Sequence, residues 1–298
     1  MAVVKTNKAE TLRSGKTEKR IKSALMNFIL IIGAIVMLTP LLWMLATALS
    51  PNTKIPPTSL IPHDITFENF VEAWNFPKAF SPDPDHPITM GTFFMNSIIC
   101  TVCITVLGII VDSLAAYVLA FKEFPGKRLF IFLALATMMI PFYVTLVPEY
   151  LIIRELGWMN TYKAMIIPFL ASGMGIALFR SHFLSIAKEL EECGKLDGAS
   201  DFRVYLTIVM PISRPIIGTM AILKSMWSWN QYMWPLIVST DISKKPIQVA
   251  LNMFRGLNLT EWGYMCAGMT MAILPLVILF LCAQKQFIGG LQAGAVKG

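Results

Sequence analysis

Charge is what this sequence has least of: Asp, Glu, Lys and Arg together make up 14% of its 298 residues, against about a quarter in an ordinary soluble domain. With 55% hydrophobic residues, a soluble fold would have to bury almost everything it has. Histidine is nearly missing. His63, His86 and His182 lie far apart on loops or a span end, which gives neither metal-ligand spacing nor a constellation suited to nucleophilic catalysis. Cysteine is few and odd in number. Cys100, Cys103, Cys193, Cys266 and Cys282 do not make a disulfide framework, and the Cys100–Cys103 pair inside an apolar run reads as packing. A phosphate loop is also lacking: Ser14-Gly15-Lys16-Thr17 imitates its end, but the first glycine would have to fall at Glu10, and no strand precedes it. The chain therefore carries no machinery for splitting a nucleotide, and it reads as a non-enzyme.

What is present is apolar and clumped. Ser23–Thr53, Ile88–Val111, Leu129–Pro148 and Trp262–Gln284 hold no Asp, Glu, Lys or Arg. About 20 apolar residues cross the hydrocarbon core as helix, so the expected fold is an all-α integral membrane bundle. Six spans are expected, at about 24–49, 93–121, 129–153, 162–184, 215–239 and 264–283. Ala46-Thr47-Ala48 resembles a signal-peptidase site, but the run before it is longer than a signal peptide's apolar region, so it reads as an uncleaved span. Asn258-Leu259-Thr260 is a glycosylation sequon by pattern only.

Basic residues in short flanks orient the bundle. Residues 1–23 hold Lys5, Lys8, Arg13, Lys16, Lys19, Arg20 and Lys22; later loops add Lys122, Lys127 and Arg128, then Lys188, Lys195, Arg203 and Arg214. The loop at 50–92 is acidic instead, with Asp64, Glu68, Glu72, Asp83 and Asp85 against Lys54 and Lys78. It is expected outside, with both termini in the cytoplasm. Lys244, Lys245 and Arg255 disagree mildly. The basic N-terminus is a topology determinant, and nothing suggests nucleic-acid binding.

The loop 185–215 is too long and too patterned to be a mere connection. Ser185–Leu196 reads as a short helix with Glu189, Glu191 and Glu192 near its positive end, stopped by Asp197-Gly198. Phe202, Tyr205, Leu206 and Val209 follow at helical spacing, as one face of a second helix, which Pro211 and Pro215 end. The small residues Cys193, Gly194, Gly198 and Ala199 would let the turn seat in a partner's groove, with the carboxylates meeting its Arg or Lys. The competing reading is a helix lying on lipid, which carboxylates facing anionic headgroups disfavour.

Glu192-Cys193-Gly194, three further residues, Gly198, nine residues, Ile208 and then Pro211 resembles the cytoplasmic loop signature of ABC importer permeases, with Cys-Gly standing in place of Ala-Ala. Leu156–Tyr162 with Ile167-Pro168, the run Trp229–Leu236, and the tail Gln284–Gly298 resemble further motifs of carbohydrate-type permeases, of the maltose-transporter second-subunit kind. The resemblance implies a type I ABC importer permease fold, with residues 1–23 a cytoplasmic extension and 284–298 a cytoplasmic tail able to reach the ATPases. It implies a homologous second permease, two cytoplasmic ATPase subunits that use ATP and Mg, an extracytoplasmic solute-binding protein and a carbohydrate substrate; this chain itself needs no cofactor. Glu191, Glu192, Cys193, Gly194, Asp197, Gly198, Ala199 and Pro211 become the expected coupling residues, with Glu192 pairing an ATPase arginine.

For the substrate path, Trp229, Asn230, Gln231 and Tyr232 offer the hydrogen bonds and aromatic faces that sugars need, though an interfacial aromatic belt would look the same. Asp112 and Lys224 are charges inside spans, each costly there. They suggest an ion-coupled transporter as one alternative, or else a buried ion pair. The other alternative is an ABC importer permease for glycerol phosphate or a polyol, which the resemblance to carbohydrate-type permeases leaves open. Phe93, Phe94 and Asn96 would line an external mouth. The proline-rich segment 51–91 contains one short helix, expected at Ile65–Trp74 with Thr66 as cap and Asn69 and Glu72 exposed, where a binding protein could touch. Lys244, Lys245 and Arg255 form the second such candidate.

Overall fold

The computed structural model describes residues 2–51, 60–62, 64–254 and 261–295, and only the backbone of 2–19, 21 and 283–295. Arg255, Lys54, Pro56, Pro57, His63, the Asn258-Leu259-Thr260 sequon and Val296–Gly298 lie outside the described residues. Among the described residues the regular structure is entirely helical.

The first span belongs to a long helix, α1 (Ala2–Ala48), so the basic N-terminal residues continue the helix rather than precede it. Pro40 is accommodated inside it. From Leu25 to Leu38 the large apolar side chains open outward, as helices facing lipid or another subunit do. At its end, α2 (Glu68–Asn75) folds back, and Asn69 donates to the carbonyls of Ala48 and Ser50 at 2.9 and 2.7 Å. Those are carbonyls a helix end cannot satisfy by itself. Asn69 is therefore buried, not exposed as its spacing suggests, and Thr66 accepts from the Glu68 N–H just outside the helix.

The long helix α3 (Met90–Phe121) is the axis of the bundle. Gly108, Ser113, Ala116 and Ala120 keep its flanks thin, which lets neighbours approach closely. The third expected span falls on two helices, α4 (Lys127–Ala136) and α5 (Phe142–Glu155), bent by 104°. Ile140 precedes Pro141 and is forced extended, at φ −86° and ψ 116°. The fourth is α6 (Tyr162–Ile166), a tight turn through Pro168, and α7 (Gly173–Phe183), bent by 42°.

Next come α8 (Lys188–Leu196), α9 (Asp201–Val204), a π turn at Tyr205–Val209 and α10 (Met210–Ile212). An 82° bend at Ser213 separates them from α11 (Arg214–Trp229). Pro215 stands in the first turn of α11, where its missing N–H costs nothing. A break at 230–232 leads to α12 (Met233–Val238), then α13 (Ile247–Ala250) and α14 (Trp262–Ala295). The backbone of α14 stays helical past the expected end of the sixth span at 283. By length and composition three helices can cross a membrane alone, and six crossings result if each bent pair counts as one.

Three apolar clusters hold the bundle. Phe93, Trp229, Phe254 and Ala267 close the end near α2; Cys100, Ile104, Trp234 and Val238 fill the middle of the α6–α12 side; Tyr117, Phe179, Phe183 and Val209 close the α8 end.

Candidate functional site

The α8 end is built as a projecting turn. Glu189 and Glu191 occupy the first turn of α8, at the positive end of its dipole. The helix stops where Gly198 takes φ +79°. The Ala199 N–H returns to the Gly194 carbonyl at 3.0 Å and the Gly198 N–H to Lys195 at 2.9 Å, the paired bonds of a left-handed glycine cap. Ser200 then caps α9 by accepting from the Arg203 N–H. Glu192, Cys193, Asp197 and Gly198 are exposed on this turn, and Leu196 is 86% exposed at its tip. Leu196 was not singled out by sequence; the i, i+4 relation to Glu192 on the outer face was the signal.

Glu191 belongs to the opposite face. It is buried, and its Oε1 accepts from Lys122 Nζ at 2.7 Å and Lys195 Nζ at 2.8 Å. Lys122 also reaches Asp201 Oδ1 at 2.6 Å and stands over the Tyr117 ring. One lysine at the end of α3 thus clips both limbs of the turn. Burial opposes the charge on Glu191, but the two lysines outweigh it and hold its carboxyl below the ordinary value. Lys122 alone holds most of Asp201's depression. Burial would lower Lys122, yet its bonds to Asp201 and Glu191 raise it well above an ordinary lysine. So Glu191 is not free to meet a partner in the way Glu192 is, because the buried face of α8 uses it. Lys122, read from sequence only as a topology flank, is the residue that fixes the turn.

The helix after the turn also differs from its spacing. Tyr205 and Val209 are buried, but Phe202 and Leu206 are 61% and 49% exposed. The π turn at Tyr205–Val209 spreads the residues beyond the 3.6-residue period, so Val204, not Phe202, shares the buried side. Tyr205 Oη lies 2.8 Å from Ser113 Oγ on α3. Gly194 is buried against this helix: a Cβ there would meet Ile208 Cδ1 at 2.9 Å and Val204 Cγ2 at 3.0 Å. Its cost to helix propensity therefore comes with close packing of α8 on its neighbour. Pro211 lies within α10 and the turn before Ser213, not on the exposed knuckle.

Within the bundle, Asp112 on α3 and Lys224 on α11 are 2.9 Å apart, at 0% and 8% side-chain exposure. Asp112 Oδ1 accepts from the Ser172 N–H and Oδ2 from the Ser172 hydroxyl, both at 2.8 Å. Ser172 in turn caps α7 by accepting from Gly175 N–H. A Cβ at Gly175 would lie 1.9 Å from Asp112 Oδ2, and one at Gly108 2.8 Å from Lys224 Nζ. The pair joins α3, α7 and α11 at the break between α6 and α7.

At the far end, the expected path residues divide. Trp229 is buried and donates through Nε1 to the Ala272 carbonyl at 3.1 Å, so it is a packing residue between α11 and α14. Asn230 and Tyr232 are exposed and Gln231 is partly so, all in the break before α12. Gln248 donates to Asn230 Oδ1 at 3.4 Å, and Asn252 donates to the Tyr232 hydroxyl. This set of amides and a phenol, with Trp227 45% exposed beside it in sequence, offers the polar and aromatic chemistry expected of Trp229. Phe93 and Asn96 are buried too: Asn96 ties the carbonyls of Ser243 and Lys245 to α3 and accepts from Tyr162, while Phe94 stacks on Trp74. Lys244 stands over the Tyr162 ring. The turn at 156–162 uses Gly157 and Asn160 at positive φ, and Asn160 Oδ1 accepts from the Asp241 N–H at 2.8 Å.

Comparison with known proteins bears on this arrangement. Residues 112–288 match the family model described as binding-protein-dependent transport system inner membrane component. The chain is 40% identical to a probable ABC transporter permease protein, YurM, of Bacillus subtilis, over 87% of this chain and 83% of that one. It is 31% identical to the arabinooligosaccharides transport system permease protein AraQ of Halalkalibacterium halodurans, over 94% and 100%. A chain in the crystal structure of a bacterial ABC transporter involved in import of the acidic polysaccharide alginate superposes with a TM-score of 0.78, at 25% identity, over 90% of this chain and 97% of that one.

Proposed function

Because this chain belongs to the family of binding-protein-dependent transport system inner membrane components, we propose that it is the permease subunit of an ATP-driven importer of neutral carbohydrate, coupled to ATPase subunits through the turn Glu192–Gly198. The observation that carries this is the exposed knuckle itself: Glu192, Cys193, Leu196 and Asp197 project, while Glu191 and Gly194 anchor them. An apolar tip beside two carboxylates suits a groove flanked by Arg or Lys. The knuckle then faces the cytoplasm, the acidic 50–92 segment faces the binding protein, and a second permease completes the passage.

The substrate reading rests on the polar break. Asn230, Gln231 and Tyr232 present amides and a phenol for sugar hydroxyls, and Lys224 is neutralised by Asp112 rather than available to an anion. The ion-coupled alternative loses its motive for the same reason. The Asp112–Lys224 pair already accounts for the two charges that motivated it, and the family is one of ABC permeases.

The test is uptake of labelled sugars by cells with and without the chain. Uptake that ATP depletion abolishes and an ionophore leaves intact supports the proposal. Uptake that collapses with the ion gradient contradicts it, and uptake of glycerol phosphate in place of neutral sugars overturns the substrate class.

A further inference from the structure

The turn between α3 and α4, with the flank of α7, encloses a groove of about 490 Å³ whose walls include Glu123, Phe124, Lys127, Arg128, Ile131 and Arg180. Three cations face one carboxylate there. Glu123 is already held by Lys127 at 2.9 Å, which, with Lys188 and Arg128 near it, keeps its carboxyl below the ordinary value. Arg180 uses only Nε, donating to the Leu119 carbonyl at 3.1 Å. Among the described residues, its terminal nitrogens and the guanidinium of Arg128 have no protein acceptor.

From Ile131 and Arg180, which line both, a second groove of about 180 Å³ continues between α4 and α7 along Leu135, Ile176, Ala177 and Leu184. A cationic cup thus opens directly onto an apolar channel. A soluble anion would use the first and ignore the second. A lipid would use both. Paired guanidinium forks suit a phosphodiester, and basic pockets between spans on the cytoplasmic side are suited to anionic headgroups.

We propose that this is a binding site for one anionic phospholipid, its phosphate between Arg128 and Arg180 and an acyl chain lying along Leu135 and Ile176. The site lies on the α8 side of the bundle, and it rests on the membrane location of the family, not on the identity of the transported solute.

The test uses the full chain, purified in uncharged detergent, stripped of lipid and given phosphatidylglycerol or phosphatidylcholine before native mass spectrometry. One phosphatidylglycerol should remain per chain, phosphatidylcholine should not, and excess inorganic phosphate should leave the lipid bound. Arg128→Gln with Arg180→Gln should weaken retention about thirtyfold, the scale of two cations at an anionic surface. Leu135→Trp, which fills the channel and leaves both cations, should also weaken it. Equal retention of the two lipids, unchanged retention by Leu135→Trp, or displacement by inorganic phosphate would each overturn the proposal.

Discussion

Lys122 Nζ lies 2.7 Å from Glu191 Oε1, joining the first residue past α3 to the buried face of α8. The same ammonium holds Asp201 on the far side of the Gly198 turn. The knuckle is therefore fastened to the axis of the bundle rather than hung from a flexible loop. Because α3 packs on both α7 and α11, a displacement of α8 has a direct route into the spans.

Lys122→Met should loosen the turn by about 1–2 kcal/mol, the range of a part-exposed charged hydrogen bond. Hydrogen exchange over 188–201 should rise while the spans stay protected. The pH dependence follows from the directions of the shifts. Glu191 and Asp201 are held below 4.5 and 3.8, so their contribution is complete above those values and lost as pH falls through the lowered folded ones. Lys122 is held above 10.5, so its contribution is complete below that value and lost as pH rises through the folded one. Protection should be flat between about pH 5 and 10. A marked change near neutrality would argue against the clip.

Gly198 separates backbone strain from crowding. A Cβ there meets nothing within 4 Å, yet φ is +79°. Gly198→Asn, which tolerates the left-handed region, should retain more transport than Gly198→Ala, and Gly198→Val least, with Ala costing about 1–2 kcal/mol. Insertion should be unaffected, as membrane fractionation can check. Equal transport by all three would mean the turn geometry is irrelevant.

Asp112→Asn or Lys224→Met leaves a buried charge without its partner and should lower stability by about 3–5 kcal/mol. The double variant should cost less than the two single losses added together. Thermal unfolding in detergent measures this, and strict additivity would mean that the pair does not interact.

Two glycine substitutions make a matched contrast. Gly175→Ala puts a Cβ 1.9 Å from Asp112 Oδ2 and must break the α3–α7 junction, whereas Gly33→Ala on the open face of α1 meets nothing. The first should destabilise strongly. The second should be neutral or gain up to about 1 kcal/mol from helix propensity. Similar behaviour would contradict the packing described.

Membrane class, the positions of the long apolar helices and the Gly198 stop were legible because each depends on local chemistry: apolar runs of spanning length, and a residue that accepts positive φ. The bends at Pro141 and at Ser213 were harder, since prolines at 141, 211 and 215 mark interruptions without giving angles. Partners across long separations were not legible. Lys122 meets Glu191 only because α3 ends beside α8, and a π turn that no period count anticipates moves Phe202 outward and keeps Tyr205 inward. Trp229 and Asn69 misled for one reason: a polar-tipped side chain looks the same in sequence whether it faces solvent or satisfies a buried carbonyl.

Seating of the exposed knuckle on an ATP-hydrolysing partner can be read through the native thiol of Cys193, which is exposed on that knuckle. In a Cys282→Ser background, which removes the other exposed cysteine, Cys193 is labelled with a maleimide photocrosslinker in native membranes and illuminated. The expected product is an adduct with the ATPase subunit. Adducts confined to lipid or to the solute-binding protein, or labelling of Cys193 by an impermeant reagent from outside the cell, would contradict it.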